Sequence, residues 1–362
     1  MSLSMSGLAA HGDFAAIPVL DLSLADDGST LPGFLRDLRT SLTQVGFLYI
    51  SNHGVPQSTI TQLTDILPRL FSLPNAAKED IALENSPHFL GYSGAGSETT
   101  AGGVDWREQV EFGTELTKIW QAGSPLYERL RGPNQWPREL PELQPIVHNY
   151  MQAMAKLGQR FLGLVATALE LPESAFLPFL SDQHRLKLLH YPEASESAHS
   201  SQGVGPHKDS SGWWTFLLQA SPPEVQGLQA LNKNGEWIDI PNIPGTFVVN
   251  IGQAFEVVTH GVCKATTHRV LSSANERFSV PFFQGVRRDL TKTEALETLA
   301  HHFRQSGPSS ESAEGHSIDS AFLKGQYDTW GETQLRTKVR SHRKNGRKFY
   351  PEVYDKYVND DT

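Results

Sequence analysis

Short apolar segments of strand length follow one another through the second half of this chain, and they limit the folds that it can adopt. They occur at 214–218, 227–231, 237–240, 246–250, 266–271 and 277–283. The pairs Asn234-Gly235 and Pro244-Gly245 are strong turn signals between them. Many short strands at this spacing indicate an antiparallel sandwich or barrel.

The first half of the chain has a mixed pattern, with short strands among longer helical segments. Segments 17–22 and 46–50 are predicted strands. Helices are predicted over about 57–73 and about 141–169, where apolar residues recur every three or four positions. Residues 85–103 are rich in Gly, Ser and Thr, which predicts a long loop of the kind that often covers a site. We therefore expect an α+β protein with a mainly β core.

Composition and charge exclude several classes of function. The net charge of −9 and the scattered Lys and Arg residues are unlike the basic stripe of a nucleic-acid-binding protein. The one basic stretch, 336–348, is predicted to be a solvated helix face. A single cysteine rules out a disulfide framework, and no segment approaches the roughly 18 apolar residues of a membrane span. Without a secretory signal pattern, we expect a cytoplasmic protein with neither nucleic-acid nor membrane partners.

A His-x-Asp motif and a distant histidine form the central constellation. His207 and Asp209 are two residues apart, so on a strand both side chains point to the same face. His268 follows 59 residues after Asp209 and can complete the site from another strand. Two imidazoles and one carboxylate suit iron(II) and leave positions open for dioxygen and an organic ligand. The motif alone is weak evidence, because a lone histidine in a chain with 14 of them is usually structural.

A second polar pair, Arg277 and Ser279, begins nine residues after His268. On a strand both would face the barrel interior, while Phe278 would face outward. A buried guanidinium needs an anion, because an unpaired buried charge is very costly. Arginine and serine together can hold a carboxylate through charge-assisted hydrogen bonds. The alternative is an arginine that pairs with a structural Asp or Glu.

These residues resemble the signature of the isopenicillin N synthase and 2-oxoglutarate-dependent oxygenase family, which has H-x-D, a distant H and then R-x-S. The similarity spans roughly residues 15–345 and is carried by IPVLDL (17–22), GFLYISNHGVP (46–56), FSLP (71–74), THRVL (267–271) and ERFSVPFF (276–283). It implies a double-stranded β-helix, a jelly-roll barrel with iron in one mouth. It also implies an N-terminal helical region at 16–184, the jelly-roll core at 185–290 and C-terminal helices at 291–362. The small and polar residues at 1–15 predict a disordered leader, and the polar stretch at 305–320 predicts a mobile surface loop.

The resemblance implies iron(II), dioxygen and 2-oxoglutarate. Arg277 and Ser279 would bind the distal carboxylate of 2-oxoglutarate, and Tyr191 would contact the same molecule. The family often has Asn-x-Tyr here, but Leu189 stands where the amide is expected. In the isopenicillin N synthase branch, the same Arg and Ser hold a substrate carboxylate, and the substrate supplies all four electrons. Both branches stay open, and 2-oxoglutarate is favoured because its branch is the larger.

The implied function is that of an oxidoreductase that hydroxylates, desaturates or cyclises a small organic molecule, which we expect in specialised metabolism. Candidate substrate-binding residues are Lys187, Phe283, Trp214 and Arg107, and each has a plain structural role as its alternative. The retained Asp209 argues against halogenation, because related halogenases lack the carboxylate so that a halide can bind iron. A catalytically silent ligand-binding barrel is the rival hypothesis from another class. The sequence leaves the oligomeric state open.

Overall fold

The computed structural model describes residues 13–116, 120–193, 202–210, 212–306, 318 and 320–360, in which strands and helices alternate along the chain. The strands are β1 (Val19–Asp21), β2 (Phe47–Ser51), β3 (Gly91–Ser93), β4 (Thr99–Thr100), β5 (Gly103–Val104), β6 (Glu108–Gly113), β7 (Arg185–Tyr191), β8 (Gln202–His207), β9 (Trp214–Gln219), β10 (Leu228–Leu231), β11 (Trp237–Asp239), β12 (Phe247–Ile251), β13 (His268–Leu271) and β14 (Arg277–Phe283). The α-helices are α1 (Leu31–Thr40), α2 (Gln57–Phe71), α3 (Asn75–Asp80), α4 (Leu143–Ala168), α5 (Gln253–Val258), α6 (Lys292–Glu297), α7 (Ala300–Ser306), α8 (Ala321–Lys324), α9 (Trp330–Ser341), α10 (Arg343–Phe349) and α11 (Pro351–Val358).

Two β-sheets form the barrel. The larger sheet has the strand order β1-β2-β12-β9-β14-β7-β6-β3, and the smaller has the order β11-β10-β13-β8. Only β1 and β2 pair in parallel among the described strands of these sheets. Leu189 of the larger sheet and Val204, Leu228 and Val270 of the smaller one belong to a single apolar cluster. The predicted α+β fold with a jelly-roll core is confirmed.

The long helix α4 packs against the outer face of the larger sheet. Side-chain alternation along β9 points Trp214 and Phe216 to that face, and the ring of Phe161 on α4 meets both edge-on, at centroid distances of 5.2 and 5.6 Å. Burying a large apolar side chain contributes about 1.5–3 kcal/mol. This apolar layer supports the sheet from outside and leaves its inner face free to carry polar groups.

The region at 16–184 supplies more than helices, because β1, β2, β3 and β6 complete the larger sheet. Strand β6 pairs with β7 and places Glu111 opposite Lys187 and Gln109 opposite Leu189. The sequence analysis missed β6 because its buried positions include Glu and Gln, so the strand lacks the apolar run that marks a core segment. Glu111 is tolerated there because it faces the cavity described below, and Glu108 because it pairs with Lys78 and His190 on the opposite face.

Phe14 lies in the segment 1–15 that the sequence predicts to be a disordered leader, but only 4% of it is exposed. Its carbonyl accepts a hydrogen bond from Nδ2 of Asn232 at 3.2 Å. The packed chain therefore starts before residue 16. Residues 1–12, and residues 307–317 and 319 of the predicted mobile loop 305–320, lie outside the described residues. Within the described part, no helix is long and apolar enough to cross a membrane.

The basic stretch 336–348 departs from the prediction of a solvated face. Nε of Arg336 donates to Oδ2 of Asp360 at 2.7 Å, and both side chains are buried. Nζ of Lys338 lies 2.8 Å from a carboxylate oxygen of Glu111 on β6. The prediction is wrong for these two residues because α9 packs over the barrel, so one side of this helix faces protein rather than water.

Candidate active site

A cavity of about 470 Å³ lies between the inner faces of the two sheets and extends beneath α9. Side-chain alternation brings residues from β6, β7, β8, β9, β12, β13 and β14 to its wall. Of the residues that the sequence analysis selected, the following line it: His207, Asp209, His268, Arg277, Ser279, Tyr191, Lys187, Phe283 and Arg107. Nine of the ten residues selected from the sequence therefore line the same cavity.

The metal-ligand candidates converge at one end of the smaller sheet. His207 ends β8, His268 begins β13, and the two residues are partners across the strand pair. Oδ1 of Asp209 lies 3.6 Å from Nε2 of His207 and 3.7 Å from Nε2 of His268. The three potential ligand atoms all lie within 4.8 Å of one another. This spacing and the two-imidazole, one-carboxylate donor set fit a mononuclear iron(II) ion with open positions.

Each ligand candidate is oriented by a hydrogen bond on the side away from the metal position. Nδ1 of His207 is 2.8 Å from the carbonyl of Gly205, and Nδ1 of His268 is 3.1 Å from the carbonyl of Thr266. These carbonyls accept, so each Nδ1 carries the proton and each Nε2 keeps a free lone pair. Such bonds fix the tautomer and the ring orientation of a metal ligand.

The protonation states also suit a metal. Burial and the neighbouring His207 lower the pKa of His268 to about 4, so this imidazole is neutral at neutral pH. Burial alone would raise the pKa of Asp209, but hydrogen bonds and the charges of the two histidines hold it well below its ordinary value. A neutral imidazole and an ionised carboxylate are the forms that bind metal ions.

Arg277 lies on the inner face of β14 with 1% of its surface exposed. Its Nη2 is 3.4 Å from Oε1 of Gln219, its Nη1 is buried without a hydrogen-bond partner among the described residues, and the ring of Tyr191 lies 5.0 Å away. No carboxylate within ion-pair distance neutralises it in the described part of the chain. Burial lowers the pKa of this guanidinium. An anionic ligand is therefore needed to compensate the charge.

Ser279 and Tyr191 surround this guanidinium as the resemblance implies. Ser279 shares the inner face of β14 with Arg277, and Tyr191 is the direct partner of Arg277 on β7. Phe278 points the other way, where its ring stacks on His190 at 4.8 Å. Leu189 lies opposite Ser279 and lines the cavity, so this position supplies an apolar contact where many relatives have an amide.

Three of the four substrate-binding candidates face the same cavity. Arg107 is held by Glu98 at 2.8 Å and by Asp105 at 3.6 Å. Lys187 donates to Oε1 of Gln109 at 3.3 Å, and Phe283 lies near the end of the wall that β14 forms. Contact of Arg107, Lys187 and Phe283 with a substrate stays a prediction.

Trp214 is the candidate that the structure removes from the cavity. Its side chain has no exposed surface and packs edge-on against Phe161 and Phe255, with centroid distances of 5.2 and 5.3 Å. Strand parity explains the correction: the next residue, Thr215, faces the cavity, so Trp214 must face the helical layer. The sequence leaves this parity undetermined, because Trp213 and Trp214 are adjacent and alternation allows either of them to face inward.

The sequence analysis did not select Thr215, Asn250, Arg288 or Lys338, which also line the cavity. Thr215 and Asn250 contact the carboxylate of Asp209. Polar residues inside otherwise apolar strands were the available signal for these two. Nothing in the local sequence marks Arg288 or Lys338, because their position depends on how the C-terminal segment packs over the barrel.

Comparison with known proteins decides the family. Residues 17–139 match the family "non-haem dioxygenase in morphine synthesis N-terminal", and residues 183–286 match the 2OG-Fe(II) oxygenase superfamily. A 2-oxoglutarate-dependent dioxygenase, frbJ, from Dothideomycetidae sp. (strain 11243) is 43% identical over 94% of this chain and 94% of its own length. The chain belongs to the 2-oxoglutarate- and iron(II)-dependent oxygenases. A second 2-oxoglutarate-dependent dioxygenase, from Gibberella zeae, is 33% identical over 94% of this chain and 93% of its own.

Solved structures of this superfamily have the same fold. A 2OG-Fe(II) oxygenase family protein from Caulobacter crescentus is 26% identical, and the alignment covers 90% of this chain and 99% of the other, with a TM-score of 0.69. The predicted family, and iron(II) and 2-oxoglutarate as its cofactor and co-substrate, are confirmed. The protein is an oxidoreductase of the 2-oxoglutarate-dependent dioxygenase type. This result favours an enzyme over a silent barrel, and it favours the 2-oxoglutarate branch over an oxidase without that co-substrate.

Proposed function

We propose that this dioxygenase oxidises a C–H bond of a small organic molecule bound in the cavity, which leads to hydroxylation, desaturation or ring closure. In the hydroxylation case, one atom of dioxygen enters the substrate and the other enters succinate, which forms with carbon dioxide from 2-oxoglutarate. We place the reaction in specialised metabolism. We also propose that the chain divides into an N-terminal region at 16–184, a jelly-roll core at 185–290 and a C-terminal region at 291–362. Both of these rest on the family resemblance.

The observation that carries the proposal is the uncompensated guanidinium of Arg277. It lies in the same cavity as His207, Asp209 and His268, and its Nη1 has no hydrogen-bond partner among the described residues. A dicarboxylic keto acid fits both sites. Its keto acid end can chelate a metal ion held by the two histidines and Asp209, and its distal carboxylate is an anion that can bind Arg277. Iron(II) held by the three side chains would supply the activation of dioxygen.

Four other side chains bind or cover 2-oxoglutarate in this proposal. Arg277 and Ser279 bind the distal carboxylate of 2-oxoglutarate through charge-assisted hydrogen bonds. Tyr191 packs beside the guanidinium and shields it from water. Leu189, opposite Ser279, covers the methylene groups between the two ends of the co-substrate. The substrate then occupies the remaining part of the cavity, towards Lys187 and Phe283.

Anaerobic titration of the iron(II) protein with 2-oxoglutarate tests the proposal. Chelation of the metal by the keto acid gives a visible charge-transfer band, and we expect a saturable band in the unaltered protein. Arg277→Gln should leave iron binding intact and weaken 2-oxoglutarate by about 10- to 100-fold, since hydrogen bonds to charged groups contribute about 1.5–3 kcal/mol. Arg269→Gln is the matched control, because Arg269 lies on β13 outside the cavity, bonded to Gln229 and stacked on Trp237.

Two results would contradict the proposal in different ways. If iron binds but no band forms, Arg277 and Ser279 hold a substrate carboxylate and the oxidase alternative returns. If Arg277→Gln also loses iron while Arg269→Gln keeps it, then Arg277 supports the metal site, and its assignment to the co-substrate is wrong.

A further inference from the structure

The far wall of the cavity carries several cations around one carboxylate. Glu111 on β6 lies 2.8 Å from Arg185, 2.8 Å from Lys338 and 3.9 Å from Lys187. Burial alone would raise the pKa of Glu111, but these three cations hold it at about 2. One carboxylate therefore faces three positive groups in a space that is shielded from water.

Arg185 alone is enough to compensate Glu111. Its guanidinium also donates to the backbone carbonyls of His88, Phe89 and Leu130, so its hydrogen-bonding capacity is used by the protein. The nearby carboxylate of Glu98 is already paired with Arg107 at 2.8 Å. Arg107 also pairs with Asp105 at 3.6 Å, and the charge of Lys187 acts on Glu98 as well. The positive charge of Lys338 is therefore in excess.

Arg288 adds another cation to this wall. Its Nη2 donates to the neutral side chain of Gln183, and its Nη1 is buried with no hydrogen-bond partner among the described residues. No carboxylate lies within ion-pair distance of it in the described ranges. Burial and the charge of Arg185 lower the pKa of Arg288 to about 10, so it stays protonated at neutral pH.

This group of cations is separate from the proposed clamp for 2-oxoglutarate. Arg277 pairs with Tyr191 at one end of the β14–β7 strand pair, and Phe283 pairs with Arg185 at the other end. Six residues of extended strand put Arg185 about 20 Å from Arg277, and Lys187, four residues before Tyr191, lies about 13 Å from the clamp. A single molecule of 2-oxoglutarate, bound between iron and Arg277, therefore cannot compensate the far wall.

We propose that the substrate carries an anionic group, a carboxylate or a phosphate, that binds between Lys187, Lys338 and Arg288. This inference rests on the proposed function and adds the chemical class of the substrate. Anchoring the anion at the far wall points the rest of the molecule towards His207, Asp209 and His268. Because Lys338 belongs to α9, the C-terminal region takes part in substrate recognition.

The experiment uses the protein loaded with iron(II) and 2-oxoglutarate under anaerobic conditions. Straight-chain carboxylic acids of increasing length are titrated against their primary amides and against the corresponding alkyl phosphates. Binding is followed by the change in the visible band and by the melting temperature. We expect at least one anionic series to bind about 10-fold or more tightly than the amides, and the tighter series identifies the anion.

Variants locate the site. Arg288→Gln and Lys338→Met should each weaken the anion by about 10-fold or more, while Lys338→Arg should retain it. Lys344→Met is the matched control, because the Lys344 side chain is 81% exposed and pairs with Glu84 outside the cavity. Lys338→Arg guards against misfolding, since it keeps the charge next to Glu111.

The proposal is overturned if no anion binds more tightly than its amide, or if Arg288→Gln and Lys338→Met bind anions as the control does. It is also overturned if the anion bleaches the visible band by displacing 2-oxoglutarate, because the anion then competes at Arg277. Failure of the proposed function looks different: the band never forms with 2-oxoglutarate, while the rise in melting temperature with anions still depends on Arg288.

Discussion

The side-chain amide of Asn250 donates a hydrogen bond of 2.7 Å to Oδ2 of Asp209. The hydroxyl of Thr215 donates to the same oxygen at 2.5 Å, so this oxygen is fully engaged by the protein. The other oxygen, Oδ1, faces the two histidines. Two neighbouring strands of the larger sheet therefore set how Asp209 presents its carboxylate to a metal.

Asn250→Ala should weaken iron(II) binding by about 10- to 100-fold, the usual effect of removing a hydrogen bond that orients a metal ligand. Anaerobic titration with iron(II) measures it. Asn242→Ala is the control, because the Asn242 amide bonds to the carbonyl of Ser221 away from the metal position. Equal iron affinity in the two variants would show that Asp209 is oriented without Asn250.

His268→Ala should remove iron and with it turnover of 2-oxoglutarate, because two ligands in place of three no longer hold the ion against buffer. Metal content after anaerobic desalting and succinate formation are the two measurements. His53→Ala serves as control, since its ring packs on Phe247 at 4.4 Å and does not line the cavity. A His268→Ala variant that keeps its iron would refute the assigned ligand set.

The carboxylate of Glu111 should make stability depend on pH in the acid range. Its folded-state pKa of about 2 lies below the ordinary value of 4.5, so the stabilisation is fully present above pH 4.5 and is lost as the pH falls towards 2. This shift corresponds to about 3 kcal/mol. Urea unfolding of the metal-free protein at pH 5.5 and pH 3.5 should show a smaller difference in Glu111→Gln than in the unaltered chain. Glu139→Gln, at an exposed position, should leave the difference unchanged.

Trp214→Ala should lower the free energy of unfolding by about 3–5 kcal/mol, because it opens a cavity between β9 and α4. At low temperature the folded variant should still bind 2-oxoglutarate with unchanged affinity. Trp106→Ala is the comparison, since 40% of Trp106 is exposed and its loss should cost less than about 1 kcal/mol. Loss of 2-oxoglutarate binding at unchanged stability would return Trp214 to the active site.

The metal ligands were predictable because their arrangement depends on local geometry. Residues at i and i+2 of a strand share a face, and this places Arg277 beside Ser279 on β14. Asp209 follows two residues after His207, the last residue of β8, so the two side chains start close together along the chain. The distant His268 was found through the family resemblance of its neighbourhood. The face of Trp214 was not predictable, since the loop between Asp209 and β9 hides where the alternation starts.

The sequence by itself determined the apolar segments, the metal donor set and the family to which they belong. Only the tertiary structure decided that β6 joins the core sheet, and that Lys338, in a stretch that resembles a solvated helix face, meets Glu111. The physical reason is that the burial of a charged side chain is not a local property. A charge can be buried where a partner from a remote segment compensates it, and only the folded chain brings the two together.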